Sequence, residues 1–173
     1  MKSAAATPLV ASSGPEVVSL CSFEVNGGAF AIDLRRVREI LRPTKITAVP
    51  KAPAFLEGVI DLRGAVLPVV DLRKRLGRPQ PAADPLNRLV LAWVGRREIG
   101  LLVDRVAGVL RLPRTELLPA PDLWLEQGAR LFVGACHDPG GGLVLLLNLR
   151  ALLESSEPVD VDALRRLSTE RVP

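Results

Sequence analysis

From Val17 onward, apolar and polar residues alternate with the period of a half-buried strand: Cys21, Phe23 and Val25 are interleaved with Ser22 and Glu24. Asn26-Gly27-Gly28 then supplies a tight turn ahead of Ala29, Phe30, Ala31 and Ile32, so the chain is predicted to open with a β-hairpin. Short, β-branched runs bounded by Gly or Pro recur at 58–60, 65–67, 69–70, 89–94, 99–103, 109–112, 131–135 and 143–147. Strands at this spacing predict a mostly-β barrel or sandwich. Pro43, Pro50, Pro53, Pro68, Pro113, Pro119 and Pro121 interrupt the chain where long helices would otherwise run. Helix is expected only as single turns after Asp71 and Asn148, and as a C-terminal helix over 159–167, where Val161, Leu164 and Leu167 share a face. Residues 1–15, rich in Ala, Ser, Pro and Gly, are expected to form a disordered arm.

The pattern repeats. Residues 31–42 align with 100–111 at a constant offset, matching Arg36 to Arg105, Val37 to Val106, Leu41 to Leu110 and Arg42 to Arg111. Residues 69–76 likewise echo 146–153. The chain therefore reads as a duplicated small β unit, with the Pro- and Gly-bearing segment 77–87 as the hinge. The repeat also accounts for Asp33, Asp61, Asp71, Asp104 and Asn148. Each ends an apolar run where a turn or helix begins, and each is expected to accept hydrogen bonds from free backbone N–H groups rather than bind a cation.

Composition narrows the chemistry. The chain has 173 residues, of which 48% are hydrophobic and only 3% aromatic, with no Tyr, so Leu and Val must build the core and no base-stacking platform is available. Lys and Arg number 23 against 19 Asp and Glu, but the arginines are scattered singly rather than gathered into a stripe, which lends nucleic-acid binding little support. Cys21 and Cys136 sit in apolar runs and His137 is the single histidine; no metal set follows, and both thiols are expected to be buried hydrophobes in a reducing compartment. The stretch 137–142, His-Asp-Pro-Gly-Gly-Gly, reads as a hairpin turn followed by a strand, which offers a phosphate no helix N-terminus. No nucleophile is set by a recognisable motif. The reading is of a protein that is not an enzyme and needs no cofactor.

No apolar run approaches the ~18 residues of a bilayer span, and the N-terminus lacks a signal-peptide core, so a cytoplasmic protein without direct membrane insertion is expected. The mean hydropathy is nevertheless positive, more apolar surface than two small units can hide, which points to a binding module. Two charges interrupt apolar stretches conspicuously: Glu39, within 37–40, and Arg63, within 61–64. On residue type alone they are solvated charges or a surface ion pair worth about 0–1 kcal/mol.

At these positions the sequence resembles the CheW family of chemotaxis adaptor proteins, over about 18–153. The motifs are Phe30-Ala-Ile-Asp-Leu-Arg-Arg-Val-Arg-Glu-Ile40, Thr47-Ala-Val-Pro50, Ala54-Phe-Leu-Glu-Gly-Val-Ile-Asp-Leu-Arg-Gly64, Leu67-Pro-Val-Val-Asp-Leu72 and Gly100-Leu-Leu-Val-Asp-Arg-Val106, in that order. The resemblance implies two SH3-like five-stranded β-barrels packed together over 16–157, with 158–173 as a C-terminal helix or tail. It implies a non-catalytic adaptor that couples methyl-accepting chemoreceptors to a CheA-type histidine kinase, in the cytoplasm and recruited to receptor arrays at the inner face of the membrane. Carried over by position, it assigns Val37, Glu39, Gly58, Arg63 and Val106 to the receptor's cytoplasmic tip. Ile60 and Val66 go to the kinase regulatory domain, and other CheW-like domains are further partners. The resemblance turns Glu39 and Arg63 from solvated charges into a functional surface pair. The 15-residue arm and the hinge lie outside the family pattern. A nucleic-acid-binding double SH3-like barrel, suggested by a pI near 9.7, is the second reading.

Overall fold

A computed structural model describes residues 14–77, 83–120 and 130–154. The opening alternation folds as β1 (Val17–Val25) and β2 (Gly28–Asp33), joined at Asn26-Gly27, both with positive φ. Asp33 ends β2 and accepts the Arg35 N–H at 2.9 Å, capping a single 3₁₀ turn over Leu34–Arg36 before β3 (Val37–Leu41). The chain continues through β4 (Leu56–Leu62), β5 (Ala65–Asp71), α1 (Leu72–Arg75), β6 (Arg88–Val94), β7 (Arg97–Val103) and β8 (Arg105–Pro113). After a 3₁₀ turn come β9 (Leu118–Pro119), β10 (Phe132–His137), β11 (Leu143–Leu147) and α2 (Leu149–Glu154). The expected arm, the C-terminal helix over 159–167 and part of the expected hinge lie outside the described residues.

The strands form two sheets, in the orders β8-β1-β2-β11-β10-β9 and β3-β6-β7-β5-β4. The duplication shows in both. Each sheet carries two antiparallel hairpins, β1-β2 with β10-β11 and β6-β7 with β4-β5, joined by a parallel pairing of β2 with β11 and of β7 with β5. The third strand of each unit is exchanged: β3 leaves the first hairpin to pair with β6, and β8 leaves the second to pair with β1. Registers agree at the repeat offset, with Leu41 opposite Leu89 and Leu110 opposite Leu20. Both exchanged strands are bulged at the same repeat position, at Arg38 and at Ala107.

The expected mostly-β architecture is present as two sheets with few helices. Among the described residues the larger sheet has six strands, the smaller five, and neither ladder closes. Each sheet instead curls around its own small core. Leu41 of β3 and Ile60 and Leu62 of β4, the two end strands, share one cluster with Leu67, Leu89 and Leu91. In the other sheet Leu110 and Leu112 of β8 meet Cys136 of β10 and Leu117. Between the sheets lies the main core, to which both contribute: Cys21, Phe23, Phe30 and Phe132 from one, Val70, Val90, Ile99 and Leu101 from the other. The strands that reach this core are apolar on both faces, because one face meets the central cluster and the other a flanking one.

Polar side chains tie the units where apolar packing ends. Asp71, fully buried, caps α1 by accepting the Arg73 N–H, and the Arg73 guanidinium returns to Asp71 and reaches Asp104. Asp104 in turn accepts the Asn26 N–H of the β1-β2 turn at 2.5 Å, so this acidic residue caps a turn of the other sheet rather than its own. Asn148 caps α2 through the Arg150 and Ala151 N–H groups. Buried Arg75 donates to the Leu152 carbonyl at 3.1 Å, with its guanidinium over the Phe55 ring, joining α1 to α2.

Both cysteines are buried and unpaired, as expected, and burial pushes both thiols up, with Asp138 adding to the effect at Cys136. Neither is expected to react with Ellman's reagent in the native protein, and both to react after denaturation. A raised folded-state value means that only the unfolded chain ionises its thiols just above their usual range. Stability measured by urea denaturation should therefore fall as pH rises past about 9.

Candidate partner-binding surface

The candidate site is built on the end strands of the five-stranded sheet. β3 alternates half-buried with exposed residues, and Glu39, on the half-buried side next to the bulge at Arg38, keeps its side chain about one-third exposed. Arg63 sits in the two-residue turn between β4 and β5. Its φ of 53° and the 84° of Gly64 are the paired left-handed values of a type I′ hairpin, and Asp61 Oδ1 accepts the Gly64 N–H at 3.0 Å to hold the turn. Arginine is an unusual occupant. A side chain held in the left-handed region costs on the order of 1 kcal/mol where Gly or Asn would cost less.

That turn aims the guanidinium at β3. Arg63 Nη2 and Nη1 donate to Glu39 Oε1 and Oε2 at 3.2 and 3.3 Å, a two-point contact between residues 24 apart. The Arg63 side chain is 66% exposed, so solvent screens the pair and its worth to folding is about 0–1 kcal/mol. Its stabilisation hardly offsets the strain of the turn that presents it.

Gly58 acts differently. It follows the bulge of β4, at φ 152°, where a Cβ would lie 2.2 Å from the Thr47 carbonyl oxygen. Absence of a side chain lets the segment before β4 cross it, and Thr47 and Val59 exchange backbone hydrogen bonds at 2.9 Å. The second unit repeats the device at Gly134, where a Cβ would stand 2.4 Å from the Leu118 carbonyl oxygen as β9 crosses β10. The match of Leu56-Glu-Gly58 with Phe132-Val-Gly134 in the sequence is the signal that reveals this twin.

The remaining expected positions divide. Val37 and Val106, equivalent in the repeat, are half-buried on the two exchanged strands and pack against the same central cluster. Val66, on β5, is 69% exposed. Ile60 is 1% exposed and fills the flanking core, so its side chain offers no surface for the kinase contact expected of it. Ile40, 42% exposed beside Glu39, joins this surface, which a strand pattern alone does not reveal because it does not show which strand ends a sheet. His137 is exposed at the end of β10, and Asp138 closes the turn by accepting from Gly140 and Gly142, the hairpin expected there. Among the described residues no three His, Cys, Asp or Glu side chains are grouped to hold a metal, and no helix is long and apolar enough to cross a membrane.

Comparison with known proteins agrees with this architecture. The CheW-like domain family matches residues 19–157. The chemotaxis protein CheW of Rhizobium meliloti is 38% identical over 140 residues, covering 80% of this chain and 88% of that one. The protein FrzA of Myxococcus xanthus is 32% identical over 149 residues, covering 86% and 92%. The crystal structure of the scaffolding protein TtCheW from Thermoanaerobacter tengcongensis superposes with a TM-score of 0.74 at 26% identity, over 84% of this chain and 93% of that one.

Gly58→Ala and Gly134→Ala should each lower unfolding stability by about 2–3 kcal/mol, because the added methyl meets backbone rather than a movable side chain. Arg63→Gly should instead be neutral or stabilising by up to ~1 kcal/mol, since it removes a screened ion pair but relieves the turn. Urea denaturation of the three variants distinguishes the two kinds of site.

Proposed function

The chain belongs to the CheW-like domain family, and we propose that it works as a non-catalytic chemotaxis adaptor that couples methyl-accepting receptors to a CheA-type histidine kinase. The observation that carries this reading is the Glu39–Arg63 pair, held in two-point contact on a solvent-exposed face by a strained turn. In this reading the pair, which adds little to folding, serves the partner it meets. Exposed, geometrically set charges steer encounter and fix register, and they do so without bond chemistry.

In this reading Val37, Glu39, Gly58 and Arg63, with Val106 on the opposite sheet, receive the receptor's helical tip. Val37 and Val106 supply apolar contact, the charged pair fixes orientation, and Gly58 sets the backbone crossing beneath. Val66, exposed on β5, meets the kinase regulatory domain, while Ile60 supports that surface from the core below. Other CheW-like domains would dock on the same face, and each curled sheet is one SH3-like barrel unit. The adaptor would act in the cytoplasm, at receptor arrays on the inner face of the membrane. Coupling then lies in the two interfaces: the adaptor relays receptor conformation because both partners are held on one rigid central core. The nucleic-acid reading gains nothing from the comparisons, and among the described residues Arg35, Arg38, Arg63, Arg105 and Arg114 are engaged with carboxylates.

Capture of a receptor cytoplasmic fragment and of the kinase regulatory domain tests the division of surfaces. Glu39→Arg and Arg63→Glu should each weaken receptor capture about tenfold, equivalent to ~1.4 kcal/mol, while kinase capture is unchanged. Val66→Asp should do the reverse. Unaltered receptor capture by both charge variants would remove the pair from the interface.

A further inference from the structure

The end of the five-stranded sheet that carries the Glu39–Arg63 pair carries a second ion pair, and the acid of this one is buried. β5 and β7 run parallel, so the Arg63-Gly64 turn ahead of β5 and the turn ahead of β7 lie at one end of the sheet, where β3 also begins. There Arg38, the bulge residue of β3, donates from Nη1 to Glu98 Oε2 of β7 at 2.5 Å. The sheet order is β3-β6-β7, so this contact spans β6. The β6 residue directly opposite Glu98 is Trp93, which is 41% exposed.

Glu98 is the unusual member. Its side chain is only 7% exposed, and Oε1 is buried with no hydrogen-bond partner among the described residues. An unbonded oxygen on a buried carboxylate opposes folding. By strand alternation Glu98 faces the same side as Leu102 of the flanking core, where an apolar side chain would carry no such penalty. What the pair does supply is a fixed position for Arg38. A free surface arginine loses rotamer freedom when a partner binds, whereas one already held by a buried carboxylate has lost it beforehand. Only Nη1 is engaged with Glu98 and the Arg38 side chain is 42% exposed, so the guanidinium keeps N–H donors for a partner. Trp93 adds a broad, stiff apolar surface of the kind that dominates binding energy in protein interfaces.

We propose that Glu98 is a positioning residue for the receptor-binding face: from its buried site it pins Arg38 across β6, and Arg38 with Trp93 extends the Glu39–Arg63 contact by a second fixed charge and an aromatic anchor. The proposal rests on the adaptor reading. Because both ion pairs lie at the same end of one sheet, they are assigned to one occupant, the receptor's helical tip.

Fluorotryptophan incorporated into the natural chain labels Trp93 and Trp124, and Trp93→Phe identifies the first signal. That fluorine NMR signal should move when a receptor cytoplasmic fragment is added and stay in place with the kinase regulatory domain. Trp93→Ala should weaken receptor capture about tenfold or more. Glu98→Gln should weaken it roughly two- to tenfold, the ordering cost of one long side chain, and both variants should capture the kinase domain unchanged. Because Glu98 acts through Arg38, Glu98→Gln should change nothing further in a chain that already carries Arg38→Gln. An equal loss there would mark a merely structural role and overturn the proposal, as would unchanged receptor capture by Glu98→Gln alone. In the free natural chain, nitrogen relaxation should show the Arg38 guanidinium as ordered as the backbone; a mobile guanidinium would overturn the pinning even if the charge variants fold poorly. A Trp93 signal that stays fixed while the receptor fragment is captured, or that answers to the kinase domain alone, would overturn the proposal and leave the adaptor reading standing. A signal that follows protein concentration instead would also overturn it, by assigning the surface to a second copy of this chain. Failure of the natural chain to capture the fragment at all would remove both.

Discussion

The exchange of β3 and β8 between the two hairpins is the constraint on which everything else in the molecule rests. Val37–Leu41 leaves the first half to pair with β6, and Arg105–Pro113 leaves the second to pair with β1, from Val17 opposite Pro113 to Glu24 opposite Arg105. Neither half can complete its sheet from its own residues. The central cluster then forms between sheets that each contain strands of both halves, so the apolar area buried there stabilises the whole chain and not two separable units. The Asp71–Arg73–Asp104 contacts join residues of both halves at the end of the five-stranded sheet, and Asp104 carries the link on to the Asn26 N–H of the other sheet.

Duplication preserved backbone devices more closely than surfaces. The bulge on each exchanged strand, the glycine that lets a neighbouring carbonyl approach, and the Asp or Asn that caps the short helix occur in both units. The exposed chemistry diverged on this common frame. Glu39 corresponds to Gly108, and the tight Arg63-Gly64 turn corresponds to the longer turn that Asp138 closes. The five-stranded sheet thus presents a paired acid and base, the six-stranded sheet exposed Val17, Val109 and Val133 and a groove edged by arginines. Two surfaces of different character on one shared core suit an adaptor.

Much of this was legible along the chain. Apolar alternation marks β1 and β2, β-branched runs mark β5 to β7 and β11, and Asp33, Asp61, Asp71 and Asn148 mark strand ends because a carboxylate or amide there accepts N–H groups two or three residues on. These are local matters, decided by side-chain period, turn chemistry and backbone hydrogen bonding within a few residues, and the repeat doubled their signal. Glu39 and Arg63 stood out in the same way, as charges inside apolar runs.

Only the assembled fold decided how those elements meet. Exchange of the third strands, the curling of each sheet around its own small core, and the burial of Ile60 beside an exposed Val66 depend on partners far away in the chain. So does the reach of Asp104 to the Asn26 turn of the other sheet. The meeting of Glu39 with Arg63 required a strand and a turn that holds a left-handed arginine, 24 residues apart, to be brought side by side. Sequence period states which face of a strand is apolar. Which neighbour covers that face is set by a competition among long-range pairings, and that is resolved only when the central core closes.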